Sequence, residues 1–163
     1  MKKWLAIVVL VVCIPVGWWL LSPLWINKEV NEELPTSTEQ ATAMEEKSEV
    51  IVEQPKVQEY TGMFVDGDKT HHAAGKAYTL TQDGKRFIRF EDFNTTNGPD
   101  LYVYMLDKSN EIAKGINLGK LKGNQGNQNY ELPSNIDMEK YDKVIIWCKA
   151  FDVTFGTAEL KEI

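Results

Sequence analysis

Cysteine and histidine are scarce in this chain, with two of each in 163 residues. They are Cys13, Cys148, His71 and His72, so few side chains are suited to redox, metal or proton-transfer chemistry. The sequence has no G-x-S-x-G elbow, H-E-x-x-H helix, Walker loop or dinucleotide fingerprint, which argues against ordinary hydrolases and nucleotide enzymes. It has neither C-x-x-C nor the C-x-x-C-H of covalently attached haem. It also lacks a basic run. The formal net charge is −6, and nucleic-acid binding, which needs a cationic footprint, is not expected. The enzyme-like role these residues leave open is that of a redox or electron-carrier module.

Charge is also missing from the head of the chain. Residues 4–26 contain no charged side chain, and a helix of that length crosses about 30 Å of hydrocarbon. A cleaved signal peptide has a shorter apolar core that ends at small residues. Trp18, Trp19 and Trp25 fall toward the far end, where indole rings favour the membrane interface. A lipoprotein reading of Cys13 fails, because Leu10, Val11 and Val12 precede it and the chain stays apolar beyond it. The expectation is an uncleaved anchor at 1–27, with the lipid bilayer contacted through residues 4–26. Lys2 and Lys3 precede the run and acids follow it. This places the N-terminus in the cytoplasm and the rest of the chain outside, at the cell membrane.

Aromatic residues are absent from 28–57, where Glu, Thr, Ser, Gln and Pro prevail. Such a composition cannot bury enough apolar surface to offset its ordering entropy. It is expected to be an acidic, disordered linker, roughly 30 Å from end to end.

From residue 58 onward the hydrophobic period is mostly two, the mark of strands. Expected strands are 60–65, 76–81, 86–93, 101–106, 115–121, 128–132, 143–151 and 153–160, with one helical turn at 136–141. Asp83-Gly84 between two apolar runs signals a tight hairpin. Short strands at this spacing imply an all-β antiparallel sandwich or barrel-like domain over 58–163. In 143–151, Val144, Ile146, Cys148 and Ala150 share one wholly apolar face, which should bury Cys148.

Several motifs in this region are similar to those of a known family. They include His72-Ala73-Ala74-Gly75, Glu91-Asp92-Phe93 and Gly98-Pro99-Asp100-Leu101-Tyr102-Val103-Tyr104. The run from Leu118 to Pro133 follows, then Val144-Ile145-Ile146-Trp147-Cys148-Lys149-Ala150-Phe151 and Phe155-Gly156-Thr157-Ala158. Over about 59–161 the chain resembles the DM-thirteen domain, an all-β domain of cell-surface proteins, in its bacterial form. The resemblance implies an electron-transfer module in which the cysteine of the W-C pair, here Cys148, acts as a redox thiol or ligates a prosthetic group such as haem. With no second redox centre in the chain, such a carrier would need a separate redox partner protein.

The residues themselves leave other roles open. Cys148 also reads as a small hydrophobe in a core strand. His72, at the position of the family's histidine, is a candidate cofactor ligand; it also reads as a loop residue making one hydrogen bond. Asp100 follows Gly98-Pro99 and suits either a turn cap or a ligand contact at a loop tip. Asp66-Gly67-Asp68 falls far short of a calcium loop. The competing function is a non-catalytic surface or adhesion module that meets a cell-surface ligand, with Cys148 inert in its core.

Overall fold

The computed structural model describes residues 11, 13–15, 26–35 and 59–163. The domain consists of strands β1 (Tyr60–Asp66), β2 (Ala73–Gln82), β3 (Lys85–Thr95), β4 (Leu101–Leu106), β5 (Ile116–Lys120), β6 (Gln125–Glu131), β7 (Lys143–Cys148), β8 (Val153–Glu159) and β9 (Lys161–Glu162). The alternating pattern located the first eight. β9 was not expected, and neither was the 3-10 turn Ile112–Lys114. The helical turn expected at 136–141 is a single turn, closed by the Tyr141 amide on the Asp137 carbonyl at 2.9 Å.

The strands form one nine-stranded sheet in the order β5-β4-β7-β8-β1-β2-β3-β6, with β9 on β1. Every strand pairing is antiparallel. β5 and β6 are the two ends of this sheet, yet only residues 121–124 join them in the chain. The sheet must therefore curl until its edges meet, giving a nearly closed barrel. β1 makes one corner. Thr61, Gly62 and Met63 pair with β2, whereas Phe64, Val65 and Asp66 pair with β8. A strand that changes partners midway bends the sheet there.

The interior is filled by the inward members of each alternating pair. Val144, Ile146 and Cys148 of β7 are fully buried, as the period-two reading requires. Phe64 lies edge-on to Phe90 and Phe93, each at 4.9 Å between ring centroids, and Phe90 meets Tyr130 at 5.2 Å. Residues 149–151, expected to extend the strand, form a turn with Asp152 instead. This leaves Phe151 68% exposed rather than packed on the sheet.

Two expectations concern the chain before the barrel. Among the described residues no helix is long and apolar enough to cross a membrane. The expected anchor lies almost wholly outside the described residues, which include only 11, 13–15 and 26 of the run 4–26. The expected linker needs correction at its start. Residues 28–35 do not begin a solvated spacer. They form a strap along β6, with a parallel bridge between Glu29 and Gln125; residues 36–57 lie outside the described residues. The physical reason is the sheet edge. β6 presents unpaired backbone groups, and a polar segment can be ordered by satisfying them without burying apolar surface.

Candidate functional site

One end of the barrel gathers the candidate residues. The β1–β2, β3–β4, β5–β6 and β7–β8 connections all emerge there, since Ala73 pairs with Thr95, Asn94 with Gln125, and Leu101 with Cys148. Cys148 is the last residue of β7, and Asp100 immediately precedes β4. The Lys149 amide donates to the Asp100 carbonyl at 3.0 Å, which ties the two connections together. His72 precedes β2 at the same end. Its carbonyl accepts from the Thr96 amide and the Thr95 hydroxyl, both at 2.9 Å.

The three side chains do different things. The Cys148 thiol is completely buried, between cross-strand partners Leu101 and Val153. His72 is exposed, and its Nδ1–H donates to Asp66 Oδ2 at 3.0 Å. That bond, with the Ala73 amide donating to Asp66 Oδ1 at 2.9 Å, holds the Asp66 carboxyl below its ordinary range. His71 does the same to Asp68 through a 2.8 Å contact and packs tilted against Phe155, with ring centroids 4.3 Å apart. Asp100 accepts from Lys120 Nζ at 3.2 Å, an interaction that raises the lysine's pKa. Asp100 thus both ties a turn, through its backbone, and neutralises a lysine.

These residues as arranged do not fit haem or a metal ion. The Cys148 sulfur is sealed among apolar side chains, and the His72 ring is turned outward to Asp66. Among the described residues no three His, Cys, Asp or Glu side chains gather as a ligand set. What this end does offer is an open cleft of about 370 Å³. It is lined by Lys28, Lys120, Lys122, Asn97, Asp100 and Asn124, and by Leu101, the cross-strand partner of Cys148.

The residues that shape this cleft were not evident from the sequence. Gln128 is fully buried and clamps the β5–β6 connection from within. Its Nε2 donates to the Gly123 carbonyl at 2.8 Å, and its Oε1 accepts from the Gly123 amide at 3.1 Å and from the Tyr130 hydroxyl at 2.8 Å. Asn124 is buried and joins three segments. Its side chain donates to Asn27 Oδ1 and to the Thr95 carbonyl, and accepts from the Lys28 amide at 2.6 Å. The available signal was the density of amide side chains between Asn124 and Asn129. An edge strand with few apolar residues is one whose outer groups are satisfied by something else.

A curled antiparallel sheet with a loop-lined end and a cysteine beneath it defines a small all-β barrel domain. Residues 63–160 match the family described as Electron transfer DM13, and the chain belongs to that family. No curated protein and no solved structure matches it.

Proposed function

We propose that this chain is a membrane-anchored, extracytoplasmic electron-transfer module, with residues 4–26 as its anchor and Cys148 as its redox-active side chain. The observation carrying the cysteine's role is its position. Cys148 is the last residue of β7, directly before the exposed 149–152 turn at the loop-bearing end. The domain 59–163 has no second cysteine. A two-electron exchange therefore runs through a mixed disulfide. The Cys148 thiolate attacks a partner protein's disulfide, one sulfur bonds to Cys148, and the other leaves as the partner's thiolate. The closed barrel keeps the thiol dry and unreactive, so access follows a local opening of the turn. The uncharged length of 4–26 and the flanking Lys2 and Lys3 support the anchor and its orientation.

A second reading is favoured by the burial itself. With no exposure and apolar partners on both sides, Cys148 equally suits a core position in a non-catalytic binding module. Alkylation of the full chain in detergent micelles, followed by intact mass, separates the two. Under the redox reading, Cys148 labels faster than the protein unfolds, and the rate is insensitive to low denaturant. Labelling that only tracks global unfolding, at a bare polypeptide mass, would leave the binding module.

A further inference from the structure

The loop-bearing end is also the end to which the expected anchor leads. The Ile26 carbonyl accepts from Asn97 Nδ2 at 2.6 Å, Asn27 Oδ1 accepts from Asn124, and the Lys28 amide donates to Asn124. Three consecutive residues, the first of them the last of the uncharged run, are thus fixed to the barrel. No spacer remains between that run and the domain.

The same end carries the features of a surface that rests on lipid. Phe151, at the tip of the β7–β8 turn, is 68% exposed, and Ile26 is 60% exposed. Aromatic rings favour the interface between headgroups and acyl chains. Lys28, Lys120 and Lys149 are all exposed here. Lys120 and Lys149 place their ammonium groups 5.6 and 5.7 Å from the Tyr102 ring. The acids facing this end, exposed Glu29 among them, are hydrogen-bonded but keep their charge. Asp66 and Asp68 accept from His72 and His71, Asp100 from Lys120, and Asp152 from Trp147 Nε1 at 3.0 Å. Lys122, also at the cleft, is held by Glu32.

We infer that this end of the barrel docks on the outer leaflet of the bilayer. Phe151 enters the interface, and Lys28 and Lys149, which no described carboxylate pairs as Asp100 pairs Lys120, meet lipid phosphates. The inference rests on the proposed anchor. It turns the Cys148 end toward the membrane, so a redox partner reaching it there is itself membrane-bound.

The test uses the full chain in phosphatidylcholine vesicles containing about one-third phosphatidylglycerol, where basic side chains meet an anionic surface. Flotation with the vesicles comes first. A nitroxide is then placed at Phe151→Cys in a Cys13→Ser background, with Lys108→Cys, at the opposite end, as the water-exposed reference. Cys13→Ser alone gives the labelling background from Cys148. The expected result is that the label at 151 collides preferentially with oxygen and the label at 108 with a water-soluble nickel complex. A floated chain whose label at 151 is as nickel-accessible as that at 108 overturns the docking and leaves the anchor standing. A chain that does not float overturns both.

Discussion

Lys122 and Glu32 are 90 positions apart, and the lysine ammonium sits 2.7 and 2.9 Å from the two carboxylate oxygens. Glu32 Oε2 also accepts from the Asn129 amide at 2.8 Å, and Lys122 donates to the Asn129 carbonyl at 2.7 Å. Together they cap the part of the β6 edge that the strap's backbone does not reach. Upstream, the Val30 and Glu32 amides donate to the Gln125 and Asn127 carbonyls, both at 2.9 Å. Glu32→Gln removes the ion pair but keeps the side chain's size. The pair is partly exposed, so about 1 kcal/mol is at stake. Amide exchange at Val30 and Glu32 should quicken about fivefold, while the barrel's own strands exchange unchanged.

Arg89 should matter more. It lies on the outer face of β3, yet is only 5% exposed. Its Nε donates to Glu91 at 3.1 Å, and its Nη1 reaches the Glu32 and Glu33 carbonyls and Asn129 Oδ1. Arg89→Ala orphans two strap carbonyls and leaves Glu91 with Lys76 alone of the two cations that act on it. A loss of about 2–3 kcal/mol in denaturant unfolding is expected. Arg89→Lys should recover little of it, since an ammonium cannot reproduce the fork.

Gly126 and Gly84 share a left-handed backbone, at φ +96° and +72°, but only one has a neighbour. A methyl group at Gly126 would overlap the Val30 carbonyl, whereas the space around Gly84 is open. Gly126→Ala should therefore cost about 2 kcal/mol and release the strap. Gly84→Ala should cost about 1 kcal/mol of backbone strain and leave the strap in place. Exchange at the Val30 amide distinguishes them.

The barrel was legible in the sequence because strands such as β4 and β7 carry one fully apolar face at a period of two, although in β2 and β3 outward residues such as Tyr78 and Arg89 are buried as well. Val144, Ile146 and Cys148 could be assigned to the interior before any coordinates. The ends of strands were less legible. β2 extends back to Ala73 across a register shift between Ala74 and Lys76, and β6 begins at Gln125, with Gly126 in a bulge-like stretch. Glycine and asparagine there looked like loop. The strap could not be read at all, because what orders residues 28–35 is the hydrogen-bonding capacity of a strand far along the chain. Of the site residues, the burial of Cys148 was foreseeable from alternation. A loop position with one hydrogen bond was among the readings of His72, but its partner, Asp66, was not, since it depends on the shape of the β1–β2 connection.

Tyr78 makes the barrel's outer face sensitive to alkali. Its hydroxyl donates to Glu91 Oε1 at 2.7 Å. Burial, reinforced by that carboxylate, pushes its pKa up to about 12 from the ordinary 10.0. The raised value favours the neutral phenol, so its contribution is whole below pH 10 and is lost as pH rises through about 12. Thermal unfolding followed from pH 9 upward should show the midpoint falling across that window. Tyr78→Phe should flatten the fall, with tyrosinate absorbance confirming that one phenol fewer titrates late.

Cys148 offers the sharpest reading of what the barrel end is. Its sulfur is completely buried beside Leu101 and Val153. In a dry environment, Cys148→Ala loses the sulfur's packing, about 1–2 kcal/mol. Cys148→Ser also buries an unpartnered hydroxyl, which adds about 1–3 kcal/mol. Serine should thus be the more destabilising of the two in denaturant unfolding, and small aliphatic residues the best tolerated. The reverse order, with serine better than alanine, would mean that the thiol sits against a polar partner or water. The sealed barrel end described here would then open in solution far more often than its packing implies.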